Sequence, residues 1–317
     1  MHIVYATDSG YLFPTLVAAS SAVAWASRRE DLTIHILDCG ITDDEWSGLE
    51  TTMRSHFGKS FMLARHKIDM SIYDTMSVYH KSKGCYARLE IPQILHDVAW
   101  CVYADGDTLF TADPFALEAV WNDEYAIMGH HDLAGERQKA WHLERGLPWD
   151  DEHHICSGFC LMNLDWFRAN DVTVKCYEIL NKYQPPYVDQ DALNIVCKGK
   201  IGLLPNEWGL FTRYADWPVK KGCFHYVEHR PWEMTQTGRF PTNSCYIIWF
   251  ETMFNTVGRH PWRCRKPYWH YRFQSAVTGF HVGLWHLFNT IPRLRKRFAH
   301  IGKKHWPRKA VDQFIAR

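Results

Sequence analysis

Through the first hundred residues, short apolar runs alternate with longer amphipathic ones, the pattern of a mainly parallel sheet flanked by helices. Ile3–Thr7 predicts a first strand, and the turn Asp8-Ser9-Gly10 leads into a helix over Tyr11–Ser27 that tolerates Pro14 near its first turn. Leu32–Leu37 predicts a second strand, Thr42-Asp43-Asp44-Glu45 a capping box opening the next helix, and Phe61–Ala64 a third strand. Leu89, Ile91 and Leu95 have helical spacing within Tyr86–His96, although Pro92 should kink or break that helix. Val98–Ala104 is mostly apolar without alternation, which predicts a central strand buried on both faces. Asp113-Pro114 supplies the N-cap and first residue of another helix. Strands at Tyr125–Met128 and Ile155–Met162 are separated by a long polar segment that reads as a functional loop. Val172–Tyr183 and Asp191–Cys197 read as helices.

Length and composition narrow the class. A chain of 317 residues with 46% hydrophobic and 22% charged residues fits one enlarged α/β unit with appendages and excludes disorder or coiled coil as the main architecture. The uncharged run Ser9–Ser27 contains Gly10, Pro14 and several serines, so a buried helix is expected rather than a membrane span. Ten dispersed cysteines without a CxxC pair fit a reduced, cytosolic chain, and the opening His2-Ile3-Val4-Tyr5 lacks the features of a signal peptide. Net charge is +1, which argues against a wholly basic nucleic-acid binder. From Arg259 to Arg317, however, fourteen Lys/Arg face one acid, Asp312, so this tail alone carries +13. Two units are therefore expected: a globular domain over 1–255 and a basic, aromatic, helical segment over 256–317.

Asp105-Gly106-Asp107 ends the apolar strand, where open α/β sheets bind ligands. Two carboxylates so close repel each other and lose hydration, and a divalent cation keeps both ionised. The competing reading is a surface turn, since Asp-Gly is a common turn pair. Asp189-Gln190-Asp191 stands at a predicted helix start, where acids commonly cap. Asp8-Ser9-Gly10 is either a turn or a nucleotide contact, with Tyr11 able to stack on a base. Neither the His130-His131 and His153-His154 pairs nor Cys156 with Cys160 complete a zinc site. No GxSxG, P-loop or GxGxxG signature is present.

Taken in order, these residues resemble the family 8 retaining glycosyltransferases of the GT-A fold, especially bacterial lipooligosaccharide galactosyl- and glucosyltransferases and, more distantly, glycogenin. The resemblance covers about residues 1–255. It is carried by His2-Ile3-Val4-Tyr5-Ala6-Thr7-Asp8 with Tyr11, by Leu37 to Ile41, Tyr86 to Leu89 and Tyr103 to Asp107, and by Asp132 with Glu136-Arg137-Gln138. Ser157-Gly158 with Leu161 to Leu164, then Asp189-Gln190-Asp191, and His225-Tyr226 with Pro231-Trp232 complete it. The resemblance implies a UDP-sugar site in which Asp105, Asp107 and His225 hold Mn2+, with Mg2+ as second choice, against the diphosphate. Ala6, Thr7, Asp8 and Tyr11 would lie at the uridine, Gly106 beside Asp105 at the donor, and Arg230 at phosphate. Arg88, Asp132, Asp189 and Gln190 would meet the donor sugar, with Gln190, Asp189 and Arg88 carrying the catalytic roles. Two departures stand out. Cys156 occupies a donor-sugar position where the family commonly has asparagine, and the HxxGxxKPW motif becomes His225-Tyr226-Val227-Glu228-His229-Arg230-Pro231-Trp232, one residue shorter and without glycine.

The expected activity is Mn2+-dependent, retaining transfer of glucose or galactose from UDP to a glycan or glycolipid acceptor in lipopolysaccharide or other surface-glycan synthesis. A metal-dependent nucleotide-sugar hydrolase and a non-catalytic sugar-nucleotide-binding module are the competing readings. Cations interleaved with Trp285, Phe288, Phe298 and Trp306 favour contact of the tail with an anionic membrane surface over a solvated tail or RNA binding, giving an expected cytoplasmic protein peripheral to the inner face of the membrane. No nucleic-acid partner is expected.

Overall fold

The structure, a computed structural model, describes residues 1–77, 82–132, 135–212, 221–227, 230–232 and 244–257. The basic tail lies outside the described residues. In chain order the first elements are β1 (His2–Thr7), α1 (Leu12–Trp25), β2 (Thr33–Asp38), α2 (Asp43–Phe57), β3 (Met62–Lys67), α3 (Ile91–Ile94), β4 (Trp100–Ala104) and β5 (Thr108–Phe110). There follow β6 (Ile127–His131), α4 (Glu136–Glu144), β7 (Ile155–Asn163), α5 (Leu164–Ala169) and α6 (Val172–Tyr183). The last are α7 (Val188–Val196), β8 (Ile201–Leu203), β9 (Trp208–Phe211), β10 (Cys223–His225) and α8 (Ser244–Thr256).

Seven strands form one sheet in the order β3-β2-β1-β4-β7-β6-β8, parallel throughout except for β7, which runs antiparallel to β4 and β6. A second sheet, in the order β5-β10-β9, packs through β9 against β6 and β7. The mixed α/β expectation holds: Ile3, Val4 and Tyr5 of β1 and Cys101–Ala104 of β4 are buried because helices cover both faces. One core cluster lies under α1, α2 and α8 and includes Leu16, Val17, Ile34, Leu161 and Trp249. The other lies under α3, α5, α6 and α7 and includes Val4, Leu37, Tyr103, Cys160 and Leu193. The uncharged run forms α1, buried from Leu12 through Val23. No helix among the described residues is long and apolar enough to cross a membrane.

Local chemistry accounts for most boundaries. Thr42 and Glu45 make the expected reciprocal capping box. Pro92 has the expected effect: a 3-10 segment over Gly84–Glu90 ends there, and only the short α3 follows. Asp113 caps as expected, accepting from the Phe115 N–H at 3.0 Å, but it opens a 3-10 turn over Pro114–Ala119. The segment expected to be a loop before β7 contains α4, a correction whose cause is tertiary. This helix has weak amphipathy of its own and is held by buried polar contacts from Gln138 and His142.

Across β1, β2 and β3 runs a ladder of three imidazoles. His2 Nδ1 lies 3.0 Å from His35 Nε2, and His35 Nδ1 lies 3.0 Å from His66 Nε2. Burial first, then the neighbouring His2 and His66 rings, pull the His35 imidazole down from 6.5 to about 3. The unfolded chain therefore binds a proton at His35 below pH 6.5 that the folded chain refuses until about pH 3. Stability is full above 6.5 and falls as the pH drops through this window, by up to roughly 1.4 kcal/mol per pH unit from this ring. Urea unfolding at pH 7.5 and 4.5 is expected to show a smaller acid loss in His35→Gln than in the wild type. Equal losses would rule out this ring as the source.

Candidate active site

β1 and β4 are parallel neighbours and end side by side, while β7, antiparallel to β4, begins at the same end. The three strands thus deliver Ala6-Thr7-Asp8, Asp105-Gly106-Asp107 and Cys156-Ser157-Gly158 to one crevice, as strand-end logic requires. The second sheet adds the distant partner. β10 pairs antiparallel with β5, placing His225 opposite Thr108, and the Tyr226 N–H donates to the Asp107 carbonyl at 2.9 Å.

Asp105, Asp107 and His225 converge so that one ligand atom from each lies within 4.8 Å of the others. His225 Nε2 is 3.1 Å from Asp107 Oδ1 and 3.9 Å from Asp105 Oδ2. Burial by itself would push the His225 ring down, but the Asp107 carboxylate beside it holds it well above the usual histidine range. Asp107 in turn is drawn below the ordinary carboxylate range, with burial opposing and His225 and Arg230 prevailing. The Tyr11 hydroxyl donates to Asp107 Oδ2 at 2.9 Å, and Arg230 Nε stands 3.9 Å from that oxygen. Tyr11, expected at the base, thus also touches the acidic pair. Two glycines make the approach possible. A Cβ on Gly158 would fall 2.3 Å from His225 Cε1 and 2.6 Å from Asp105 Oδ2, and one on Gly106 would fall 2.2 Å from Thr15 Oγ1. The arrangement of two carboxylates and one imidazole fits a divalent cation that accepts mixed oxygen and nitrogen ligands.

A register jump in β7 builds the other wall. Gly129 pairs with Cys160 but His130 pairs with Cys156, so residues 157–159 bulge away from β6 and their peptide groups turn to other partners. The Ser157 N–H donates to Gln190 Oε1 at 3.2 Å, and the Ser157 carbonyl accepts from Arg88 Nη1. Arg88, 3% exposed, also pairs with Asp105 Oδ1 and with Asp189 Oδ2, both at 3.0 Å. Burial opposes its charge, but Asp105 and Asp189 raise it well above the ordinary value, so it braces both acids from beneath. Gln190 Nε2 donates to Asp132 Oδ2 at 2.9 Å, which fixes its amide at both ends. Asp189 is no helix cap: it pairs with Arg88 and accepts from Ser157 Oγ at 3.1 Å. Cys156 Sγ lies 3.9 Å from His225 Nδ1. At the mouth, Asp8 Oδ1 accepts from the Tyr11 N–H at 3.0 Å and Oδ2 from Ser82 Oγ at 2.9 Å, while buried Thr7 accepts from Thr15 Oγ1 at 3.1 Å. Ala6 sits half-buried beside them on β1. Every candidate site residue is therefore on or just behind one crevice.

Sequence reasoning missed a buried polar knot behind Gln190. Asp191, fully buried, accepts at Oδ1 from Gln138 Nε2 (2.5 Å) and His142 Nε2 (3.1 Å), and at Oδ2 from the Tyr187 N–H (2.9 Å). Gln138 also meets His154 Nε2 at 3.3 Å. These contacts tie α4 to the start of α7, where Val188 is held at φ +38°, a conformation that disfavours a β-branched residue. The start of α7 is thus fixed by its surroundings, and Asp189 and Gln190 project from a rigid element. His153-His154, Gln138 and Asp191 were each visible in the sequence, but no distinctive spacing joined them into this knot.

Comparisons with known proteins agree with this architecture. A Haemophilus influenzae protein designated a glycosyltransferase is 23% identical over 227 residues, covering 70% of this chain and 66% of the relative. General stress protein A of Bacillus subtilis is 24% identical over 223 residues, covering 67% of this chain and 74% of its own. Among solved structures, the galactosyltransferase LgtC, in complex with donor and acceptor sugar analogs, superposes with a TM-score of 0.63 at 23% identity, covering 74% of this chain and 90% of that one. That likeness shows a shared GT-A fold. The model of glycosyl transferase family 8 matches residues 2–233, spanning every strand end that builds the crevice, and the chain accordingly belongs to that family.

Proposed function

We propose that this glycosyltransferase moves a hexose, glucose or galactose, from a UDP-sugar to a glycan acceptor with retention of configuration, and that it uses Mn2+ to do so. The observation that carries the reading is the convergence of Asp105, Asp107 and His225 beside Asp189 and Gln190, on strand ends distant in sequence. Asp105, Asp107 and His225 would hold the ion, which when bound supplies Lewis-acid stabilisation of the negative charge growing on the departing diphosphate. The remaining work falls to the chain. Arg88 pairs with Asp105 and Asp189 and holds both in place, Arg230 offers a cation at the mouth, and Asp8 and Tyr11 border the nucleotide end. Gln190 presents a carboxamide clamped by Ser157 and Asp132. A carboxamide is a poor nucleophile, which favours attack by the acceptor hydroxyl on the face the diphosphate leaves over a covalent glycosyl-enzyme.

A lipopolysaccharide or other surface-glycan acceptor is proposed from the resemblance of the motifs, and a peripheral site on an anionic membrane from the charge of residues 259–317. Thermal stabilisation by a panel of UDP-sugars with Mn2+ is expected to single out one hexose donor. Release of UDP should then rise on adding glycan acceptor, with the product's anomeric configuration read by NMR. Release indifferent to acceptor would mean a hydrolase, and stabilisation without release a binding module. Flotation of the same protein with anionic but not neutral vesicles checks the tail, and no flotation with either would remove the membrane from the proposal.

A further inference from the structure

His225 reaches the acidic pair with only one of its ring nitrogens. Nε2 faces Asp107 and Asp105, while Nδ1 points to the opposite side, where Cys156 Sγ stands 3.9 Å away. A neutral imidazole has one N–H and one lone pair, and whichever nitrogen carries the proton is set by the partner of the other. A thiol sulfur is a weak acceptor but an adequate one in a site with little water. Cys156 is 8% exposed, and its place is fixed by pairing with His130 immediately before the β7 register jump. We propose that Cys156 is a positioning residue of the cation site: its sulfur accepts the Nδ1–H of His225 and so leaves the Nε2 lone pair aimed at the ion. Cys156 is not itself a ligand in this arrangement, since its sulfur faces Nδ1 and the converging ligand group comprises Asp105, Asp107 and His225. The inference rests on the reading of Asp105, Asp107 and His225 as a metal site.

The test follows Mn2+ binding by the electron paramagnetic resonance of free Mn2+, with the full chain, in the presence and absence of UDP. Cys156→Ala and Cys156→Ser, whose shorter side chain falls short of Nδ1, are expected to bind Mn2+ about tenfold more weakly, the lower end of losses seen when such outer partners are removed. Cys156→Asn, with a longer reach and a stronger acceptor, should restore binding toward wild type. Melting temperatures in EDTA check that the variants fold. With Co2+ in place of Mn2+, the wild type should show no sulfur-to-cobalt charge-transfer absorption. Such a band, lost in Cys156→Ser, would make Cys156 a ligand and overturn the proposal. So would wild-type Mn2+ affinity in both Cys156→Ala and Cys156→Ser while Asp107→Asn loses binding. If Asp107→Asn also binds as wild type does, or if the wild type binds no Mn2+ even with UDP, the metal reading itself falls and takes this inference with it.

Discussion

Asp107→Asn is expected to lower the rate of sugar transfer by about a thousandfold while leaving the fold intact. Asparagine keeps the shape and one oxygen but removes the charge that faces His225 Nε2 at 3.1 Å and stands opposite Arg230 at 3.9 Å. With a cation bound, the lost ligand charge weakens both its retention and its stabilisation of the leaving diphosphate, an effect worth several kcal/mol. At about 1.4 kcal/mol per tenfold, that corresponds to roughly three orders of magnitude. The measurement is acceptor-dependent UDP release across a Mn2+ titration, with the melting temperature in EDTA as the control on folding. Asp107 also meets the Tyr11 hydroxyl, and the amide oxygen can retain that bond, so a change of only a few degrees is expected. Full activity in this variant would show the acidic pair to be an ordinary turn.

Gly158→Ala should be nearly as damaging, for a steric rather than an electrostatic reason. The added methyl would stand 2.3 Å from His225 Cε1 and 2.9 Å from its Nε2, and 2.6 Å from Asp105 Oδ2. The strand cannot back away, because the Gly158 carbonyl accepts from the Asp105 N–H at 2.8 Å and β7 is buried along its whole length. His225 and Asp105 must therefore move apart, and a displacement near 1 Å at a reacting centre costs about a hundredfold or more. A loss of at least that size in UDP release, with Mn2+ affinity falling in parallel, is the expected result. Unchanged Mn2+ affinity would show that the close approach of Gly158 does not shape the cation site.

The sequence already carried the order of the elements near the start of the chain. The apolar run Val98–Ala104 pointed to a buried strand, and Cys101–Ala104 are buried in β4, but the strand begins only at Trp100, with Ala99 exposed before it; Asp105-Gly106-Asp107 follow at its end as expected. Thr42 with Glu45 and Pro92 act through their own backbone neighbours, so their effects were legible without any tertiary information. The short strands β5, β8, β9 and β10 were not legible. Three or four residues leave too little periodicity to read, and each exists only because a partner strand supplies its hydrogen bonds.

The same division holds within the site. Sequence alone determined that acids would cluster beyond β4, since a carboxylate pair bounded by an apolar strand has nowhere else to go, and family resemblance nominated His225 to join them. Only the tertiary structure decided how they meet. The pairing of β10 with β5 closes a separation of 118 residues to place the imidazole on Asp107, and the slipped register of β7 turns the Ser157 peptide toward Arg88 and Gln190. Asp191 makes the point most plainly: in the sequence it is the second acid of a helix start, while in the fold it is the buried anchor of α4. Local patterns report what a residue does to its own segment, whereas its partners across the sheet are set by packing of chain that is remote along the sequence.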